Sequence, residues 1–222
     1  MDLVRLLADQ RCASCGVRGA IICRPCRGSL PWLVGPLCPR CGEPEPQAVI
    51  RCPVCHRLGS AVGAVRSAIA LAGVGNELMR CWKDGARGPV AELAAACVVA
   101  AVPRPIGDLI VPIPGARSRV AWRGIDGPCD LARMLARRWH LPVRTDLLER
   151  VHERPQRGLS ATQRQHNAAG AFAARGTVTG RVVLVDDVMT TGATLRAGVR
   201  RLRQAGAERV DVVTFARVVT RL

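Results

Sequence analysis

The chain has 222 residues, 49% of them hydrophobic and only 3% aromatic, with no tyrosine. A core of that size can stabilise one medium α/β domain with a small appendage, packed by Ala, Val and Leu rather than by rings. No run of 18 apolar residues exists, which excludes a transmembrane helix, and Asp2 and Asp9 interrupt the region where a signal-peptide core would lie, so a cytoplasmic protein without membrane insertion is expected.

The formal net charge is +16 and the pI about 11.0. That balance points to an acidic polymer as a partner, single-stranded DNA among them. An opposing consideration is that every basic residue except Lys83 is arginine. GC-rich codon usage puts the same bias on ordinary surfaces.

From the N-terminus, the first feature is cysteine. Eight of the 11 lie between Cys12 and Cys55, in four pairs of CxxC spacing: Cys12/Cys15, Cys23/Cys26, Cys38/Cys41 and Cys52/Cys55. In a reducing compartment such pairs are metal ligands rather than disulfides. A CxxC turn points two sulfurs at one spot, and two turns complete a tetrahedral thiolate shell for Zn²⁺. Two structural zinc ions are therefore predicted. Sequential pairing is the first expectation, with an interleaved arrangement left open. A redox role competes poorly, because a thioredoxin-type motif needs one pair and not four. Cys52-Pro-Val-Cys55-His56 also fits the haem-attachment spacing, which would require export and leave three pairs unexplained.

A segment this short and loop-rich needs metal to fold, so residues 1–58 are expected to form a double zinc-ribbon domain. Residues 59–222 form the second domain. There, apolar strands are predicted near 62–71, 108–112, 181–186 and 209–216, alternating with helices near 74–83, 89–102, 127–139 and 192–205. That alternation predicts an α/β fold around a mainly parallel sheet. Cys81, Cys97 and Cys129 fall in apolar helical stretches and read as small core residues.

The most informative segment is Val182-Val-Leu-Val-Asp186-Asp187-Val-Met-Thr190-Thr-Gly-Ala-Thr194. It begins as a buried parallel strand and ends in two adjacent carboxylates. Neighbours on a strand point apart, so the two serve poorly as an acid and base on one atom. They serve well as acceptors for vicinal hydroxyls. Thr190, Thr191, Gly192, Ala193 and Thr194 then open a helix, whose free N–H groups and hydroxyls make a cradle for a phosphate. The competing reading is a capped helix with two solvated aspartates, and the preceding strand disfavours it. The segment therefore predicts a site for a phosphorylated ribose beyond the carboxyl ends of the strands.

This segment closely resembles the PRPP motif of type I phosphoribosyltransferases. From about Cys12 to Val218 the chain resembles the ComF (ComFC, amidophosphoribosyltransferase-like) family of competence-associated proteins. The resemblance rests on the cysteine pairs, Lys83-Asp84-Gly85, Val111-Pro-Ile-Pro114, Arg123-Gly124, Gly158-Leu159-Ser160 with Arg164 and Asn167, Gly170-Ala-Phe172 and the PRPP motif. It implies a type I phosphoribosyltransferase fold behind the zinc ribbon. Phosphoribosyl pyrophosphate or a nucleotide would be the ligand, with Mg²⁺ held mostly by ligand oxygens. Competence or DNA-processing proteins would be partners.

By the same resemblance, Asp186 and Asp187 bind the ribose hydroxyls, and Met189 to Thr194 the 5-phosphate. Pro112 and Ile113 form the pyrophosphate-side loop. Arg123, then Arg117 and Arg119, neutralise the diphosphate. Lys83, kept as lysine in an arginine-biased chain, joins Asp186, Asp187 and Arg123 as a candidate catalytic residue. Residues 150–170, with Arg154, Gln156, Arg164 and Asn167, form a flap. The reaction implied is transfer of the phosphoribosyl group. The alternatives are a non-catalytic single-stranded DNA-binding protein, a transferase of nucleotide salvage, and a PRPP-sensing regulator. One departure is visible: Arg123-Gly124 is followed by Ile125-Asp126-Gly127, where the family usually has Phe-Asn-Gln. The change falls on the diphosphate or acceptor side.

Overall fold

A computed structural model describes residues 10–45, 52–84, 87–151 and 170–219. Two short helices, α1 (Arg24–Gly28) and α2 (Pro53–Leu58), belong to the cysteine-rich segment. The remainder runs β1 (Val65–Ala70), α3 (Val74–Lys83), α4 (Arg87–Ala101), β2 (Leu109–Pro112), α5 (Arg117–Arg123), α6 (Gly127–Trp139), β3 (Leu148–Arg150), β4 (Phe172–Ala174), β5 (Arg181–Met189), α7 (Ala193–Gln204) and β6 (Arg209–Arg217). Strands β1, β6, β5 and β2 form a four-stranded sheet in that order, every neighbouring pair parallel. Strands β3 and β4 pair separately as an antiparallel hairpin.

Strand β5 shows why the sheet has a layer on each side. Side chains alternate across a strand. Val183 and Val185 pack with Leu78, Leu131 and Leu135 of α3 and α6, while Val182 and Leu184 pack with Leu195, Val199 and Leu202 of α7. A strand apolar on both faces cannot tolerate water on either, so helices must cover both. A polar pairing in the sheet's interior bridges β1 and β6: Ser67 Oγ and Thr214 Oγ1, 2.7 Å apart, satisfy each other within the core.

The outer edges are also covered. Ala70 N–H donates to the Pro31 carbonyl (2.8 Å) and Leu33 N–H to the Ala68 carbonyl (3.1 Å), so the cysteine-rich segment lies along the free edge of β1. At the opposite edge, Ile110 of β2 bonds through its backbone to Pro142 and Arg144 at 2.9 Å each. Both contacts occupy groups that an exposed strand edge would offer to another chain.

The four parallel strands and four long helices lie close to where the apolar stretches place them, with three differences. Strand β1 begins only at Val65, not near 62. Strand β5 continues three residues past Asp186, to Met189, because its end pairs with β6 as far as Arg217. Helix α5 and the β3–β4 hairpin carry no strong periodic signal. The hairpin is held by tertiary packing of Leu148 and Phe172 beneath α7.

One buried ion pair joins the cysteine-rich segment to the end of the sheet. Arg217 (1% exposed) pairs with Glu43 (2% exposed) and donates through Nη1 to the Cys41 carbonyl at 2.6 Å. Removing one member of such a pair leaves the other charge buried without compensation. Arg217→Ala is expected to destabilise the protein by about 3–5 kcal/mol, measured by urea denaturation.

Candidate functional site

Strands β2 and β5 are neighbours, yet the chain leaves them toward opposite faces of the sheet. After β2, helix α6 packs on the side of Val183 and Val185; after β5, helix α7 packs on the side of Leu184. A crevice opens at the carboxyl ends of strands where connections diverge in this way, and such a switch point is where open α/β sheets bind ligands. Here it is a cleft of about 300 Å³.

One wall comes from β5 and the loop after it: Asp186, Asp187, Thr190 and Thr194. The facing wall comes from the turn after β2 (Ile113, Pro114), from Arg123 at the end of α5, and from Lys83 at the end of α3. Residues far apart in sequence thus meet in one cleft. Pro112 is buried at the end of β2, and the backbone of Ile113 is tied to β5 by a 2.8 Å bond from its N–H to the Val185 carbonyl.

The loop 190–194 turns on Gly192, the N-cap of α7, at φ +76°. That left-handed conformation favours glycine. Thr190 and Thr191 are exposed, and Met189 is buried beneath them. Thr191 Oγ1 accepts the Ala193 N–H at 3.4 Å. Helix α7 is 12 residues long and points its N-terminus at the cleft, and α6, of 13 residues, brings Gly127 and Pro128 to it from the other face of the sheet. The end of α7 has no side-chain cap and its partial positive charge favours an anion, whereas the end of α6 already meets the Asp126 carboxylate.

Asp186 is buried and Asp187 only half-buried. Burial, then the neighbouring Asp187 charge, holds the Asp186 carboxyl well above the usual carboxylate range. Asp186 Oδ1 accepts the Asp187 N–H at 2.9 Å, which fixes the buried carboxyl. Arg123 Nε and Trp82 Nε1, on residues that line the cleft, are buried donors without a partner among the described residues. Arg201 Nε and Arg217 Nε, on residues that do not line the cleft, are unmatched in the same way, so these donors do not by themselves mark a ligand. Trp82 was invisible as a site residue in sequence. Its place at 6.1 Å from Phe215, edge to face, gives it the appearance of simple core.

The departure at Ile125-Asp126-Gly127 has a structural role. Ile125 is buried in the core. Asp126 caps α6, accepting the Cys129 N–H at 3.5 Å, and its other oxygen accepts the Gly115 N–H at 3.3 Å. It therefore ties the turn after β2 to the start of α6. Asp126 also borders an adjoining cavity of about 460 Å³, with Arg117, Glu149, Arg150 and Arg175. Arg117 belongs to that cavity, where it pairs with Glu149. Arg150 stacks on Phe172, 4.6 Å from its ring centroid, and lines both spaces. It was another residue that sequence reasoning missed. The side chain of Arg119, and Gly85, Arg154, Gln156, Arg164 and Asn167, lie outside the described residues. So does most of the expected flap, which leaves the hairpin after Val151 and returns at Gly170.

The eight paired cysteines form two groups, Cys12–Cys15–Cys23–Cys26 and Cys38–Cys41–Cys52–Cys55, each with its sulfurs within 4.8 Å of one another. The pairing is sequential. Sulfur separations of 3.5 Å (Cys38–Cys55, Cys41–Cys52) and 3.6 Å (Cys15–Cys23) approach the edge of about 3.8 Å that a tetrahedron with ~2.3 Å Zn–S bonds requires. Both clusters suit structural zinc. Cys97 and Cys129 sit in the core, where burial pushes their thiols up to about 11 and about 12. Cys81 is shifted the same way for the same reason. Such thiols are inert packing groups.

Residues 130–221 match the phosphoribosyl transferase domain family. Competence protein F of Haemophilus influenzae is 36% identical over 115 residues, and the chain spans half the length of that relative. Two solved structures overlap 60% of this chain, each with a TM-score of 0.41. They are the glutamine phosphoribosylpyrophosphate amidotransferase of B. subtilis complexed with ADP and GMP (25% identity, 30% of that chain) and an allosteric regulatory enzyme of purine biosynthesis (22% identity, 29% of that chain). No helix among the described residues is long and apolar enough to cross a membrane.

A carboxyl whose folded pKa is raised costs stability as pH climbs from its unfolded value, about 3.9, towards the folded one. Asp186→Asn removes that cost and keeps an acceptor for the Asp187 N–H. The variant is expected to melt above the wild type at pH 7.5. The gap should close as pH falls to about 4, followed by calorimetric melting across that range.

Proposed function

As a homologue of competence protein F that carries a phosphoribosyl transferase domain and two four-cysteine clusters, this chain, we propose, binds phosphoribosyl pyrophosphate or a related ribose phosphate in the cleft between β2 and β5. The observation that carries the reading is the convergence, on one switch-point cleft, of the acidic pair, the helix-opening threonines, Arg123 and Lys83. Asp186 and Asp187 hold the ribose hydroxyls. The N–H groups and hydroxyls from Thr190 to Thr194 hold the 5-phosphate, with Met189 packed beneath. Arg123 and Lys83, facing them, balance the charge of a diphosphate, as do donors from the flap, Arg164 among them. Pro112 and Ile113 set the turn on the diphosphate side.

The chemistry that this arrangement serves is displacement of pyrophosphate at the anomeric carbon. The bond to the diphosphate oxygen breaks as an amine or base nitrogen, seated in the adjoining cavity, attacks. The residues contribute by positioning and by electrostatics. A Mg²⁺ ion arriving with the diphosphate would neutralise the leaving group, and two adjacent carboxylates offer it hard oxygens without a closed protein shell. Zinc in the two thiolate clusters is structural, because four sulfurs leave no open coordination position. Calorimetric titration with phosphoribosyl pyrophosphate and Mg²⁺ is expected to give micromolar binding in the wild type and a loss of at least tenfold in Asp186→Asn/Asp187→Asn. Identical heats from both proteins would remove the site.

A second reading has its own observation. Trp122 is 82% exposed beside Arg123, whose guanidinium carbon lies 5.9 Å from the ring centroid, on a chain of net charge +16. An exposed indole next to a guanidinium is a stacking platform for an unpaired base. In this reading the protein handles single-stranded DNA in the cytoplasm alongside DNA-processing proteins, and the ribose-phosphate cleft accepts a nucleotide or strand end. Affinity for a single-stranded oligonucleotide, read by fluorescence anisotropy, should fall at least tenfold between about 50 and 200 mM salt and again in Trp122→Ala. A flat salt profile would count against this reading.

A further inference from the structure

The second cysteine cluster touches the phosphate loop. Helix α2 starts directly after Cys52, contains Cys55, and ends at Leu58, which is 1% exposed. A helix of six residues has little stability of its own, so its placement follows from the two cysteines that anchor it. Leu58 packs against Gly192: a Cβ added to Gly192 would come 2.5 Å from Leu58 Cδ2 and 3.5 Å from Met189 Cε. Just before Leu58, the Arg57 carbonyl accepts a hydrogen bond from Arg196 Nη1, on the first turn of α7. The loop is thus held from below by the end of α2 and from the side by a tie into its own helix.

The same cluster is anchored at the other end of the loop. Arg217 pairs with Glu43 and bonds the Cys41 carbonyl, Arg217 is the register partner of Met189, and Val218 N–H donates to the Met189 carbonyl at 2.8 Å. Among the described residues, the first cluster packs elsewhere. Cys12, Ile22 and Leu30 belong to the core on the opposite face of the sheet, with α3, α4 and α6.

We propose that Leu58, held by the Cys38–Cys41–Cys52–Cys55 cluster, is a positioning residue for the phosphate loop, so that this cluster and not the first sets the conformation in which the loop receives a phosphate. The proposal rests on the reading of the loop as a phosphate site. Its physical basis is that a cradle of N–H groups works only when already aligned, and a displacement of about 1 Å can cost as much as a hundredfold. Leucine under a glycine that has no room for a Cβ leaves the loop a single seat. An empty seat lets it sample others.

The test uses the full-length protein and a matched pair of truncations, Leu58→Ala and Leu30→Ala, the latter beside the first cluster. Hydrogen–deuterium exchange of the free protein should show the amides of 189–196 exchanging at least tenfold faster in Leu58→Ala and unchanged in Leu30→Ala. Titration with ribose 5-phosphate should show a loss of about tenfold for the first variant and less than twofold for the second. Arg196→Met removes the tie to Arg57 without opening a cavity, and should accelerate the same amides by about threefold even if Leu58→Ala does not fold. Equal loop exchange in Leu58→Ala and Leu30→Ala, or unchanged exchange in Arg196→Met, overturns the proposal. Absence of ribose 5-phosphate binding by the wild type overturns the phosphate reading alone, because the exchange measurements need no ligand.

Discussion

Strand β5 is buried on both faces, and the rest of the architecture answers to that. Val182, Val183, Leu184 and Val185 have at most 1% of their surfaces exposed. At about 25 cal/mol per Å² of apolar surface, leaving either face to water would forfeit several kcal/mol over four residues. A helix must therefore lie on each side of the strand. Because α6 follows β2 on one face and α7 follows β5 on the other, the two connections part company at the ends of adjacent strands. The cleft is the space between them. The cleft is thus a by-product of the way the core is closed, and the chain needs only to furnish that space with suitable side chains.

Those side chains work against stability. Asp186 sits where the strand's burial pattern calls for an apolar residue, and its carboxyl is held in the neutral direction by burial and by Asp187. Arg123 Nε and Trp82 Nε1 are buried without partners among the described residues. A structure optimised for stability alone would have none of the three. The buried Asp186 carboxyl beside Asp187, with the N-terminus of α7 opening on the same cleft, is the pattern of a functional site rather than of a core.

The cysteine clusters solve a different problem. The cysteine-rich segment commits its buried apolar side chains to the rest of the chain. Ile22 and Leu30 join one layer of the core; Val54 and Leu58 join the other. In between, residues 31–33 run along the edge of β1. The segment therefore straddles the sheet edge. The buried Arg217–Glu43 pair fixes its second half to the strand end beside the loop 190–194. Tetrahedral thiolate geometry offers what a short, loop-rich stretch lacks, a rigid point from which side chains can be directed.

The sequence by itself determined whatever depends on short-range spacing. Continuous apolar runs of valine and leucine located the strands, and the CxxC pairs pointed to two four-sulfur groups. Asp186-Asp187 followed by Thr190 to Thr194 marked a strand, a loop and a helix opening, because all three are written within 13 consecutive residues. Tertiary structure decided what depends on long-range approach. That Lys83, Arg123 and Asp187 share a cleft follows from the order of four parallel strands, which no local pattern encodes. Trp82 and Arg150 were hidden because each looks like ordinary core or loop until its neighbours are known. Asp126 read as a lost amide, and proves to cap α6. The contact of Leu58 with Gly192 spans 134 positions of sequence. Local patterns report which atoms a residue can offer, but only the packed chain sets the distances at which those atoms meet, and it is distance that makes a site.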